Sequence, residues 1–175
     1  MSVRARLGIR YATAERFAPP EPVPFTDEAT AGGAFGPSAP QTVGHALGGV
    51  VPGMRIEATD ERSCLTLNVW SPAAPGPHPV LVWFHGGSFV IGGTAQPVYD
   101  GTRLAAEQSV VVVTANYRLG AFGFLDGREI GGVANCGVRD ALAALVWVRD
   151  HIDRFGGDPD RIVAFGESAG GGLIL

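Results

Sequence analysis

The sequence IVAFGESAG at residues 162–170 decides the fold, because a short apolar run leads directly into a G-x-S-x-G motif. In a strand–turn–helix setting this motif indicates a nucleophile elbow, a strained turn that lifts a serine hydroxyl clear of a sheet. Gly166 and Gly170 flank Ser168 at the two positions where strand and helix approach too closely for a side chain. We therefore predict Ser168 as a nucleophile, with a purely structural glycine turn as the alternative. The predicted elbow residues are Gly166, Glu167 and Gly170.

A second motif, HGGS at residues 85–88, directly follows the apolar run at residues 80–84. Acyl transfer generates an oxyanion, and backbone N–H groups aimed at that oxyanion stabilise the transition state. An HGG-type loop, together with the N–H of the residue after the serine, is the arrangement expected beside a nucleophile elbow. A plain tight turn is the alternative. The predicted oxyanion hole consists of Gly86, Gly87, Ser88 and Ala169.

The rest of the chain alternates strand-like and helix-like segments. Residues 80–84 and 110–113 are unbroken apolar runs, typical of parallel strands that are covered on both faces. Residues 64–70 alternate apolar and polar, which predicts a strand with one exposed face. Residues 103–107 predict a short helix. A longer one starts at Val138, with an apolar stripe that includes Leu142 and with Asp140 on its charged face. We therefore predict an α/β fold, with a mostly parallel sheet flanked by helices.

Length and proline content indicate the domain organisation. The 175 residues correspond to at most one domain. Seven prolines fall within residues 11–53 and break helices and central strands, so residues 1–53 are predicted to be a loop-rich N-terminal segment. We expect residues 1–175 to form part of a single domain.

Composition excludes several classes of protein. The apolar fraction of 46% excludes a disordered chain, and a net charge of −4 without a basic block excludes nucleic acid and an anionic membrane surface as partners. No apolar stretch is long enough to span a membrane, and no signal peptide is visible, which favours a cytoplasmic location. Cys64 and Cys136 have no metal-ligand spacing and are predicted to be buried thiols. We expect neither a metal nor a cofactor.

Seven blocks of sequence, in a fixed order, resemble the type-B carboxylesterase family. They include CLTLNVW at residues 64–70, VWFHGG at 82–87, NYRLG at 116–120 and FGGDP at 155–159, followed by the elbow. The resemblance implies an α/β-hydrolase fold and hydrolysis of small-molecule carboxylic esters through an acyl-enzyme on Ser168. It also implies that Glu167 neighbours the nucleophile without being the catalytic acid. The family's third loop glycine is Ser88 here, a change that keeps a backbone donor but restricts the backbone.

The residues that would activate Ser168 do not follow it in this sequence. In this fold an acid and then a histidine come after the serine, yet only seven residues follow Ser168 and none is acidic or histidine. Of the four earlier histidines, His85 is expected to support the oxyanion loop. We therefore expect an N-terminal portion that stops just after the elbow, poorly stable and nearly inactive by itself. An inert truncated product and a non-catalytic binding module are the alternatives, and the oligomeric state stays open.

Overall fold

The computed structural model describes residues 2–26, 33–42 and 59–175, and the bounds that follow refer to those residues. The strands are β1 (Val3–Arg10), β2 (Ala12–Thr13), β3 (Glu21–Pro22), β4 (Thr66–Pro72), β5 (His78–Phe84), β6 (Val111–Ala115) and β7 (Gly157–Gly166). The α-helices are α1 (Thr102–Gln108), α2 (Gly120–Phe124), α3 (Cys136–His151) and α4 (Ala169–Leu173). Short 3₁₀ turns lie at Pro97–Tyr99, Arg128–Ile130 and Ile152–Phe155.

Five of these strands form one mixed sheet in the order β1-β4-β6-β5-β7. Strands β6, β5 and β7 are parallel, whereas β1 pairs with β4, and β4 with β6, in the antiparallel sense. The helices between the parallel strands are the crossovers that a parallel arrangement requires. The predicted parallel sheet with flanking helices is therefore confirmed for the three strands around the motifs, and the antiparallel pairs lie on the N-terminal side.

The sheet has a core on both faces. On one face Val80, Val82 and Phe84 of β5 pack with Ala144 and Val148 of α3 in the main apolar cluster. On the other face a smaller cluster joins β4 and β6 to α1 through Trp70, Val112 and Ala105. Strand β4 is buried at every residue, so the prediction of one exposed face for residues 64–70 is wrong. The physical reason is that its polar residues have buried partners of their own.

Asn68 is the clearest of these buried polar residues. Its side-chain oxygen accepts a hydrogen bond from the backbone N–H of Gly8 at 2.8 Å, and its amide nitrogen donates to Thr94 Oγ1 at 3.0 Å and Thr114 Oγ1 at 2.9 Å. Buried polar groups of this kind are tolerated when all their hydrogen bonds are made. The alternation of apolar and polar residues in β4 therefore marks two buried faces of different chemistry rather than a solvent-facing side.

Strand β1 lies inside the segment predicted to be loop-rich, and the prediction missed it. It pairs with β4 along most of its length, with a bulge between Arg6 and Ile9 at the left-handed Gly8 (φ +69°). The alternation of Val3, Leu7 and Ile9 with polar residues would have indicated the strand. Elsewhere in residues 1–53, the described residues hold the two-residue strands β2 and β3, and residues 27–32 and 43–53 fall outside the described part.

Helix α3 is amphipathic, as predicted, and Val148 of the predicted apolar stripe lies in the core, but the first half of the helix buries a different face from the predicted one. Val138 and Leu142 are exposed, whereas Asp140 is completely buried. Asp140 accepts two hydrogen bonds from the Arg118 guanidinium, at 2.7 and 2.8 Å, and one from the Arg118 backbone N–H at 3.0 Å. Because this ion pair needs both partners inside the core, it rotates the helix so that Asp140 faces inward. Cys64 and Cys136 are free, buried thiols, as predicted.

Candidate active site

The two sequence motifs meet because they leave the sheet at the same edge. Strands β5 and β7 are parallel neighbours, and Phe84 is paired with Gly166 at their carboxyl ends. The HGGS loop follows Phe84 directly and the elbow begins at Gly166, so both turns start side by side. A methyl group added at Gly86 would lie 3.0 Å from the Glu167 carbonyl oxygen and 3.4 Å from Ser168 Cβ. The predicted oxyanion loop therefore lies in contact with the predicted nucleophile.

Ser168 has the strained backbone that an elbow requires. Its φ is 52° and its ψ is −116°, a region that residues other than glycine rarely occupy and that costs about 1–3 kcal/mol. The residue directly precedes α4, its side chain is exposed, and it makes no side-chain hydrogen bond to any residue of the described ranges. The Glu167 carbonyl accepts the N–H of Gly170 at 2.8 Å, which closes the turn. The hydroxyl of Ser168 is thus presented to solvent at the edge of the sheet.

Close approach leaves no room for a side chain at Gly166 or at Gly170. A methyl group at Gly166 would lie 2.5 Å from the backbone carbon of Gly170, and one at Gly170 would lie 2.0 Å from the carbonyl oxygen of Phe84. A methyl group added at Gly171, one position later, would have no atom nearer than 3.4 Å. The steric demand is therefore confined to the positions that hold strand β7, strand β5 and helix α4 together.

The predicted oxyanion loop has three successive residues with positive φ angles. Gly87, Ser88 and Phe89 have φ values of 113°, 54° and 62°. The carbonyl of Gly87 accepts the N–H groups of Val90 at 3.0 Å and Ile91 at 3.1 Å, which closes the loop. The backbone N–H groups of Gly86, Gly87 and Ser88 have no acceptor among the described residues. The same holds for the N–H of Ala169 at the first position of α4, where a helix leaves its N–H groups unpaired.

His85 lies beneath this loop and is fully buried. Its Nδ1 lies 2.8 Å from the carbonyl oxygen of Gly86, so Nδ1 carries a proton and donates it, and its ring stacks on Tyr117 at 4.6 Å. The hydroxyl of Tyr117 donates to the His85 carbonyl at 2.7 Å. Burial lowers the pKa of His85 to about 4, and the hydrogen bond to the Gly86 carbonyl acts in the opposite direction. His85 is therefore a neutral support of the loop and not a base for Ser168.

Glu167 faces away from the oxyanion loop. Its side chain lines a cavity of about 590 Å³ together with Trp83, Tyr99 and Phe165, and the Tyr99 hydroxyl donates to its carboxylate at 3.4 Å. Burial raises the pKa of Tyr99, and the Glu167 carboxylate raises it further. Glu167 is thus a neighbour of Ser168 along the chain whose carboxylate contacts a tyrosine instead of the serine hydroxyl.

All eight predicted site residues lie at this one edge of the sheet. They are Gly86, Gly87, Ser88, Gly166, Glu167, Ser168, Ala169 and Gly170. Sequence reasoning missed Tyr117, which fixes the start of the loop, and Gly92, whose left-handed backbone (φ +121°) passes so close to His85 that an added methyl group would lie 2.3 Å from Nδ1. The Gly92-Gly93 pair in the sequence could have indicated such a close approach.

Comparison with known proteins then identifies the family. The sequence model of the Carboxylesterase family matches residues 2–175 of the chain. The chain belongs to the carboxylesterase family. It is 52% identical over 111 residues to the para-nitrobenzyl esterase of Bacillus subtilis strain 168, covering 62% of this chain and 23% of that protein. It is also 42% identical over 171 residues to the probable N-octanoylanthranilate hydrolase AqdA2 of Rhodococcus erythropolis, covering 96% of this chain and 37% of that protein.

Solved structures of carboxylesterase family members show the same fold. A thermophilic PNB esterase superposes with a TM-score of 0.85 at 42% identity, covering 99% of this chain and 36% of that one. The Geobacillus stearothermophilus carboxylesterase Est55 superposes with a TM-score of 0.82 at 45% identity, with the same coverage of 99% and 36%. The predicted α/β-hydrolase fold is therefore confirmed. This chain spans little more than a third of the length of these relatives.

No helix within the described ranges is both long and apolar enough to cross a membrane.

Proposed function

We propose that this chain carries the nucleophile and the oxyanion-binding loop of a serine-dependent hydrolase that acts on small-molecule carboxylic esters. The observation that carries the proposal is the exposed, strained Ser168 beside a loop whose N–H groups have no acceptor among the described residues. Backbone strain at a serine and N–H donors without acceptors both cost free energy. They occur together where their geometry contributes to catalysis. The proposal is supported by the relatives that are named as esterases, because they share the chain's family and fold.

In the proposed reaction, the Ser168 hydroxyl oxygen attacks the ester carbonyl carbon while a base takes the hydroxyl proton. The carbonyl oxygen becomes an oxyanion, which the N–H groups of Gly87, Ser88 and Ala169 stabilise, with Gly86 allowing the loop to approach. The intermediate collapses, the alcohol leaves with a proton, and the acyl group stays on Ser168 until water removes it. The steps use only serine, a base and water, so the proposal includes no metal or cofactor.

None of the described histidines is placed to act as the base, and His78 lies at the opposite end of β5 from the predicted oxyanion loop. His85 is buried and donates its Nδ1 proton to Gly86, and the Glu167 carboxylate accepts from Tyr99. His151 packs against Phe25 at 4.8 Å and Trp147 at 5.3 Å, in the core region behind the sheet. We propose that a histidine oriented by a carboxylate reaches Ser168 from another part of the family fold.

Active-site labelling tests this function on the native polypeptide that contains residues 1–175. A fluorophosphonate should label Ser168, located by peptide mass, and Ser168→Ala should abolish labelling and reduce hydrolysis of a p-nitrophenyl ester by at least about 10⁴-fold. The substitution should change the free energy of unfolding by less than about 1 kcal/mol, because the hydroxyl is exposed and unpaired. The isolated 175-residue chain should label poorly, since none of its described residues is placed to act as the base. Equal labelling of the parent and the Ser168→Ala protein, or none of either, would contradict the proposal and favour a non-catalytic role.

A further inference from the structure

Phe89 occupies a conformation that a bulky residue adopts only when its surroundings enforce it. Its φ of 62° follows the left-handed Ser88 (φ 54°), so two successive residues other than glycine lie in the left-handed region. An aromatic residue in this region is a genuine outlier, in contrast to the glycines that usually occupy it. Something in the structure must therefore hold the end of the oxyanion loop in place.

Two contacts hold Phe89, and its ring also lies beside α4. Its carbonyl accepts the N–H of Gly120 at 2.6 Å, at the start of α2. Its ring packs against the ring of Phe124, at the other end of α2, with the ring centres 4.7 Å apart. Its ring tip, Cζ, reaches α4 and lies 3.7 Å from where a methyl group on Gly172 would stand. The side chain thus lies between α2 and the helix that directly follows Ser168.

The loop is consequently attached to the elbow at both ends. Gly86 makes the first attachment through its close approach to Glu167 and Ser168, and Phe89 makes the second through α4. The two residues between these attachments, Gly87 and Ser88, carry N–H groups without an acceptor in the described structure. The direction of those N–H groups relative to the Ser168 hydroxyl therefore depends on where Phe89 is held.

We propose that Phe89 is a positioning residue that fixes the oxyanion donors of Gly87 and Ser88 relative to Ser168, an inference that rests on the proposed function. In this proposal Phe89 acts through the loop and not on the reacting atoms. Because the loop is strained, loss of the Phe89 ring lets the backbone relax away from the left-handed conformation. Relaxation moves the donors from the position of the oxyanion and leaves binding of the uncharged ester largely unchanged.

The test compares Phe89→Leu with Phe122→Leu in the full polypeptide that contains this sequence. Phe122 is a matched control, because it lies in the same helix as Phe124 but stacks on Phe17 at 6.3 Å instead of on the loop. Phe89→Leu should lower kcat about 10- to 100-fold with KM changed less than about threefold, since small misplacements of catalytic groups have effects of this size. Inhibition by an aryl trifluoromethyl ketone, which forms an oxyanion on the serine, should weaken by the same factor. Phe122→Leu should leave all three quantities within about twofold.

The outcomes separate this inference from the proposed function. Should Phe89→Leu lower the melting temperature while kcat and ketone affinity stay within about twofold, Phe89 is a structural residue only and the inference is overturned. If Phe89→Leu does not fold, Phe124→Leu removes one wall of the same contact and should shift kcat and ketone affinity in the same direction. Failure of the proposed function would appear elsewhere, as ester hydrolysis that survives Ser168→Ala, and would overturn both.

Discussion

Two groups of polar atoms in this chain differ in whether they have hydrogen-bond partners. Around α3 the guanidinium of Arg118 and the carboxylate of Asp140 are 1% and 0% exposed and fully paired with each other. At the carboxyl ends of β5 and β7, the hydroxyl of Ser168 and the N–H groups of Gly87 and Ser88 have no partner within the described residues. The first group is complete without any ligand, whereas the second becomes complete only when something else binds. The polar atoms of the first group stabilise the fold, whereas those of the second group are available to a ligand.

Breaking the paired group should have the largest effect. Asp140→Ala leaves the buried Arg118 charge without a counter-ion, which should cost about 3–5 kcal/mol of the free energy of unfolding. Burial raises the pKa of Asp140, and the hydrogen bonds from Arg118 act in the opposite direction. Urea denaturation of the full polypeptide measures the loss. The double variant Asp140→Leu with Arg118→Met, which removes both charges, should be clearly more stable than Asp140→Ala. A double variant as unstable as the single one would contradict the ion-pair explanation.

The pH dependence of stability tests His85, which is buried beneath the predicted oxyanion loop. An unfolded His85 takes up a proton near pH 6.5, whereas the folded, buried ring does so near pH 4. Between these values the unfolded state binds more protons, so stability should fall by about 3 kcal/mol as the pH drops from about 6.5 to about 4. His85→Gln does not titrate and should lack this component when unfolding is measured across the same range. Parallel pH profiles of the two proteins would refute a buried, neutral His85.

Two glycine substitutions test the close approach of backbone at the elbow, and their expected effect is smaller. Gly170→Ala places a methyl group 2.0 Å from the Phe84 carbonyl oxygen and should cost about 1–3 kcal/mol and slow fluorophosphonate labelling. Gly171→Ala is the matched control, since its methyl group would have 3.4 Å of room, and it should be neutral or slightly stabilising. Melting temperature and labelling rate measure both. Similar behaviour of the two variants would show that close approach does not define the elbow.

The local part of the site was predictable because its chemistry follows from contiguous residues. The glycines at 166 and 170 and the glycines after His85 are steric requirements of neighbouring backbone, so spacing along the chain reveals them. The family assignment and the α/β-hydrolase fold followed from the same motifs. The roles of the predicted oxyanion residues stay a prediction, which the experiments above address.

Features that depend on distant residues were not predictable from one sequence. Nothing at Asp140 indicates that Arg118, in the connection between β6 and α2, pairs with it so that Asp140 faces inward and Leu142 lies at the surface. Nothing in the alternation of β4 indicates that Asn68 finds Thr94 and Thr114 inside the protein. The prediction missed strand β1 for a different reason. The alternation of apolar and polar residues was present in the sequence, but the prolines that follow it outweighed that signal.

The sequence by itself determined which residues can carry chemistry, because a nucleophile elbow and a glycine-rich loop are local conformations that only certain residues permit. The tertiary structure alone decided that the two motifs touch, since their contact depends on the parallel pairing of β5 with β7 at Phe84 and Gly166. It also decided which polar groups have a hydrogen-bond partner among the described residues and which do not. Pairing depends on groups that converge from distant positions along the chain, and such convergence is a property of the folded sheet and its helices.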